Sequence, residues 1–199
     1  MKRFILAAAA LLGITMANAQ SQTDATNPKH GIGIHIGNAF ANGSFKSSSF
    51  RDEYPAFARD GLFLSGSYTY SLGRNLAIGS SLAYRQNRYD LDALVEQDDE
   101  LVTEKRSIPW RSAFTMADLY FQIPLQDAVE VYLKGSVGAS FNRSASWQLQ
   151  TTYGTIAMPA DKATALAMGL GSGINFNVKP FVVTTEATLL YTKPEFTVL

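Results

Sequence analysis

The sequence predicts an all-β protein: an up-and-down antiparallel barrel that crosses a membrane on its strands. Three observations carry that prediction. Seven segments of about ten residues alternate bulky apolar side chains with small or polar ones, the period-two mark of a strand with two different faces. Their connections alternate between tight turns and long excursions, as in a meander inserted from one side. The N-terminus reads as an export signal, and no later segment is apolar for long enough to form a spanning helix. An exported chain of this kind enters a membrane only as a closed barrel, because every backbone N–H and C=O in lipid needs a partner.

The chain opens with "MKRFILAAAALLGITMANAQ". Lys2 and Arg3 precede an apolar run over residues 4–16, and small residues stand at Ala17 and Ala19. A basic start, a short apolar stretch and a small-residue cleavage site describe a signal peptide over residues 1–19, cut after Ala19. Residues 20–199 then form one barrel domain. Acids and bases balance at 17 each. Without Lys2 and Arg3 the count is 15 bases against 17 acids, a formal charge of −2. No basic excess points to nucleic acid. The absence of cysteine removes disulfides, thiolate metal sites and thiol catalysis together.

The first strand, "GIGIHIGNAF" (31–40), sets Ile32, Ile34 and Ile36 against Gly33, His35 and Gly37. A glycine-rich face suits the crowded interior of a small barrel, with the isoleucines toward lipid. The second strand (61–72) sets Leu62, Leu64 and Tyr68 against Phe63, Ser65 and Ser67. The third (75–86) sets Leu76, Ile78 and Leu82 against Gly79, Ser81 and Arg85. The fourth (114–125) puts Leu119, Phe121 and Ile123 opposite Asp118, Tyr120 and Gln122. The fifth (129–141) puts Val131, Leu133 and Val137 opposite Glu130, Tyr132 and Lys134. The sixth (163–178) opposes Leu166, Met168 and Leu170 to Gly169, Gly171 and Gly173. The seventh (181–192) carries Phe181, Val183 and Leu189, with Glu186 on the other side.

Tight turns are predicted at 73–75, 126–127 and 179–180, and long excursions at 41–60, 87–109 and 142–162. The second excursion holds seven acids against three bases and reads as a solvated, mobile loop. The third contains "SWQLQTTYGT" and reads as a hairpin turning near Tyr153 and Gly154. Aromatics near the strand ends, Tyr68, Tyr70, Tyr84, Phe121, Phe141, Trp147, Phe176, Phe181 and Tyr191, fit interfacial girdles.

Over residues 29–191 this pattern resembles the small eight-stranded outer-membrane barrels of Gram-negative bacteria, the OmpA/OmpX-like outer membrane β-barrel family. The resemblance implies an eighth strand ending in an aromatic residue that the outer-membrane assembly machinery reads. Here only "EFTVL" (195–199) remains for it, so the last strand is expected to be short or truncated. The resemblance implies an outer-membrane protein, surrounded by outer-membrane lipid, whose long loops offer an extracellular partner a surface.

The inward face collects His35, Arg85, Asp118, Glu130, Lys134 and Glu186, read as a polar network that fills the lumen. Eight strands leave room only for side chains. If Ile123 pairs with Val129, Asp118 and Lys134 face each other; a one-step alternative register makes them diagonal neighbours. No catalytic residue is assigned. His30 and His35 lie five apart on a strand, hence on opposite faces, which leaves no metal site. The glycines of "GIGIHIG" precede no helix, so they make no dinucleotide fingerprint. No cofactor and no enzymatic activity are expected. The main expectation is a structural or surface-interaction barrel. The alternatives are a narrow pore for ions or small solutes, and a soluble exported lipocalin-like barrel with its isoleucines turned inward around an apolar ligand.

Overall fold

The computed structural model describes residues 13–14, 29–49, 55–95, 101–126, 128–178 and 181–197. Seven long strands form where the alternation predicts them: β2 (His30–Ala39), β3 (Ala58–Ser71), β4 (Leu76–Tyr89), β6 (Trp110–Gln126), β7 (Val129–Arg143), β10 (Lys162–Val178) and β11 (Phe181–Thr192). Each pairs antiparallel with its predecessor in the meander. A two-residue strand, β1 (Gly13–Ile14), completes a closed ring of eight in the order β1-β11-β10-β7-β6-β4-β3-β2. A second, three-stranded sheet stands apart, made of β5 (Val102–Ile108), β8 (Ser146–Thr151) and β9 (Gly154–Met158). Among the described residues there are therefore eleven strands, eight of them in the ring.

The two faces sort as lipid requires. Outward side chains stay open: Ile34 is 51% exposed, Leu82 68% and Leu170 72%. Their inward neighbours are closed off, with Phe114 at 1% and Ala167 at 0%. Large aliphatics left uncovered on every strand would be very costly in water, at roughly 25 cal/mol per Å². Facing hydrocarbon they cost nothing. This orientation removes the lipocalin-like alternative, which needs Ile32 and Leu64 inside; they are 58% and 43% exposed.

The structure corrects three expectations at the ends of the elements. The eighth ring position is not taken by residues 195–199. Residues 193–197 form no strand, and Leu199 lies outside the described residues. Phe196 stacks on Trp110 with ring centroids 5.8 Å apart, and Thr197 N–H donates to Asp161 Oδ2 at 2.7 Å. Those contacts hold the segment across the rim where the long excursions emerge. Its place in the ring goes to β1, which pairs Gly13 with Gly37 and Glu186, and Ile14 with Ile36 and Thr185. The rest of the predicted signal lies outside the described residues.

The acidic second excursion is the next correction. It is not loop throughout, because β5 pairs in register with β8, opposing Lys105 to Leu149 and Arg106 to Gln148. The third is Trp147, which belongs to this projecting sheet and not to a girdle. The hairpin of the third excursion forms as predicted, with β8 and β9 joined at residues 152–153. The turn residues Asp127, Lys179 and Pro180 lie outside the described residues.

An arginine on the lipid face tests the orientation. Leu82→Arg, near the middle of β4, is expected to destabilise the folded barrel by about 2–4 kcal/mol. Urea titration in lipid vesicles, read by the gel mobility of folded and unfolded forms, measures it. An unchanged midpoint would mean that Leu82 does not face hydrocarbon.

Candidate functional site: the filled lumen

All six predicted residues lie on inward-facing positions, but they fall into separate groups along the barrel. The register decides the grouping. Asp118 and Lys134 are diagonal neighbours, as the alternative register has them, and not direct partners, because Ile123 pairs with Val131 and not with Val129. Asp118 opposes Ser136, and Lys134 opposes Tyr120. A one-residue bulge between Pro124 and Gln126 keeps the inward parity, since without it the Gln126–Val129 pairing would run on to set Asp118 opposite the outward Val137. Proline has no N–H to give to the ladder, so strands accommodate it at such irregularities. The bulge lets Gln126 pair with Val129 across a two-residue turn.

The central group is built around Glu186 of β11. Lys134 Nζ forms an ion pair with Glu186 Oε1. Tyr132 OH donates to Oε2 at 2.6 Å, and Thr188 Oγ1 donates to Oε1 at 2.8 Å. Lys134 and Tyr132 belong to β7, and β10 lies between them and β11. Glycine permits the crossing. A Cβ on Gly173 would lie 2.5 Å from the Tyr132 ring and hydroxyl. A Cβ on Gly171 would lie 2.6 Å from Thr188 Oγ1 and 3.5 Å from Lys134 Cε. The glycine face of β10 is thus a lane over which two long side chains reach a carboxylate. Tyr120 packs edge-on against Tyr132 at 5.7 Å and lies beneath the Lys134 ammonium.

Toward the tight turns lies a second group. Gln122 Nε2 and Asn175 Nδ2 both donate to Glu130 Oε1, at 3.2 and 2.8 Å. Thr184 Oγ1 donates to Asn175 Oδ1 at 2.7 Å. Asp118 accepts from Ser136 Oγ through Oδ1, while its Oδ2 is buried without a hydrogen-bond partner. His35 Nε2 lies 3.3 Å from Ser67 Oγ. His30 faces the other way, with Nδ1 2.7 Å from Tyr68 OH.

Arg85 stands apart from both groups. Its guanidinium lies 5.0 Å from the Phe45 ring centroid and 5.5 Å from that of Phe114, and Nη2 donates to Ser112 Oγ at 3.1 Å. Among the described residues no carboxylate pairs with it. Two aromatic faces accept the cation instead. Phe45 comes from the first excursion, whose short 3-10 turn (Gly43–Phe45) folds into the mouth of the barrel against Ala41, Ala56, Ala58 and Trp110. Below it, Phe63, Phe114, Met116 and Leu190 form an apolar layer. The lumen is therefore a stack: an aromatic mouth with a buried arginine, a greasy layer, an ion pair with tyrosines, and an amide–carboxylate cluster.

Sequence reasoning missed Tyr132, Thr188, Gln122 and Asn175 as partners, and Phe45 as a plug. The inward parity of the first four was visible in the alternation. Which carboxylate each meets depends on register. No group of three or more metal-binding side chains occurs among the described residues.

Breaking the central pair tests this description. Glu186→Ala leaves the Lys134 ammonium buried without its anion, and about 3–5 kcal/mol of stability should be lost. Adding Lys134→Met should recover most of it. If the single and double variants unfold at the same urea concentration, the pair does not hold the lumen together.

Comparison with known proteins places this geometry among characterised folds. The profile described as "Outer membrane protein beta-barrel domain" matches residues 6–195. No curated protein sequence matches the chain. Among solved structures, the attachment invasion locus protein Ail of Yersinia pestis is similar at 10% identity and a TM-score of 0.34, covering 94% of this chain and 95% of Ail. The CymD monoaromatic hydrocarbon channel is similar at 9% identity and a TM-score of 0.28, covering 99% of this chain and 90% of that one. At those scores neither likeness bears on what this chain does.

Proposed function

The chain belongs to the outer membrane protein β-barrel domain family, and from that premise we propose that it is a plugged, non-catalytic barrel of the outer membrane whose excursions make contacts at the cell surface. The observation that carries this reading is the occupied lumen. Phe114 is 1% exposed, Tyr132 3%, Asp118 4% and Arg85 4%, so side chains fill the interior at successive levels. An eight-membered ring is about wide enough for side chains alone. The projecting sheet supports the surface role, because it presents Tyr153 at 89% and Ile156 at 56% exposure. An extracellular partner at this sheet, surrounding outer-membrane lipid and delivery by the outer-membrane assembly machinery are parts of the same proposal.

A narrow pore is the second reading. It is favoured by Asp118 Oδ2, a buried carboxylate oxygen with no hydrogen-bond partner. Planar-bilayer recording decides between them. The plugged barrel should give no steady current, and neither should Asp118→Asn or Lys134→Ala at neutral pH. A steady current in the unaltered protein that changes in either variant would replace the plugged reading with the pore.

Export under a cleaved signal over residues 1–19 also belongs to this proposal. Removal of those residues takes β1 out of the ring, so in the processed chain the edges of β2 and β11 need a different partner strand. N-terminal sequencing of protein extracted from outer membranes should begin at Gln20. A chain retaining residues 1–19 would make β1 a lasting member of the ring.

A further inference from the structure

A row of three cations crosses the outer surface near the rim from which the long excursions leave. Arg111 of β6 pairs with Arg143 of β7, and Arg143 pairs with Lys162 of β10. All three share the outward parity of Phe141 and Leu166 and are exposed. Like charges placed directly across a ladder repel, so the arrangement is unfavourable unless an anion joins it. None of the three forms an ion pair with a carboxylate among the described residues. The acid adjacent in sequence, Asp161, turns its oxygens to the backbone N–H groups of Lys162 and Thr197.

The surroundings say where the missing anion belongs. One rung toward the barrel's middle, the outward row reads Tyr84, Ala113, Phe141 and Thr164. One outward rung further it reads Leu82, Thr115, Ala139 and Leu166. The surface thus passes from aliphatic to aromatic to cationic, the order in which a bilayer passes from hydrocarbon through its interface to charged headgroups. An open cleft of about 350 Å³ lies here, lined by Tyr84, Phe141, Arg111, Arg143 and Lys162 among others. Its two aromatic residues stand one rung nearer the barrel's middle than its three cations.

We propose that this cleft seats a phosphate-bearing lipid of the outer leaflet, with Arg111, Arg143 and Lys162 clamping the phosphate and Tyr84 and Phe141 packing against the chains below it. Guanidinium groups match phosphate oxygens in bidentate pairs. A free anion would satisfy the three charges but would make no use of Tyr84 and Phe141 beside them. A phosphorylated lipid uses both, and it lies at the right depth because the barrel itself sets that depth.

The test uses the full chain folded in detergent micelles, with lipid retention read by native mass spectrometry. The probes are bisphosphorylated lipid A, the same lipid with its phosphates removed, and inorganic phosphate as competitor. The unaltered protein should retain the phosphorylated lipid about a hundredfold more tightly than the dephosphorylated one, the scale expected for three interfacial cations. The triple variant Arg111→Ala/Arg143→Ala/Lys162→Ala should lose that preference, and Arg143→Gln alone should weaken it about fivefold. Arg74→Ala, at the opposite rim, should behave as the unaltered protein does. Gel mobility of the folded form shows that each variant still makes the barrel, and Arg143→Gln carries the test if the triple variant does not. Equal retention of both lipids, or full preference in Arg143→Gln, overturns the proposal. Displacement by inorganic phosphate at equal concentration overturns the lipid assignment and leaves a free-anion site.

Discussion

The constraint on which everything else rests is that a peptide group in hydrocarbon has no water to bond. Each unsatisfied N–H or C=O there costs several kcal/mol. A sheet meets that demand only by closing, and closure brings the outward and inward faces under opposite rules. Outside, solvent is lipid, so Ile32, Leu82 and Leu170 stand open at no cost. Inside, there is too little room for bulk water, so each polar atom must find a partner on a neighbouring strand. The ring meets the backbone demand through antiparallel ladders between successive long strands, with single irregularities at Ala58/Gly61 and Pro124/Gln126, while at the seam the described residues of β1 bridge β2 and β11 at two positions.

Inside the ring, size matters as much as charge. The central ion pair exists because β10 carries no side chains where Lys134 and Tyr132 pass over it. A valine at Gly173 would put its Cβ inside the tyrosine ring's van der Waals envelope, and Glu186 would lose a donor. The glycine face therefore works as a spacer that sets which distant strands communicate. Arg85 follows a different rule. No carboxylate meets it among the described residues, and two phenylalanine faces with one serine hydroxyl do instead. Because Phe45 belongs to an excursion and not to the ring, the buried cation also ties the first excursion to the mouth.

Outside the ring, the same two-residue period writes the profile of the membrane on the protein. The strands continue past the hydrocarbon on the side of the long excursions, which is why β6 starts at Trp110 and β3 at Ala58, several residues before the apolar alternation begins. Those extensions are free to be polar. They carry the cationic row on β6, β7 and β10, and they support the projecting sheet.

The sequence by itself determined the class of fold, the number of long strands, their order, and which face of each meets lipid. All of that follows from local alternation and turn chemistry, which act over a few residues. It also placed His35, Arg85, Asp118, Glu130, Lys134 and Glu186 on the inward face, since parity is a local property. Tertiary structure alone decided who meets whom. The tight turn and the one-residue bulge at Pro124 set the pairing of β6 and β7, which makes Asp118 and Lys134 diagonal neighbours and not direct partners. The registers of β10 on β7 and of β11 on β10 brought Glu186, far along the chain, within reach of Lys134 and Tyr132. Pairing register and ring closure are global quantities: one extra residue in one strand shifts every partner beyond it, and no periodicity in a single strand records that.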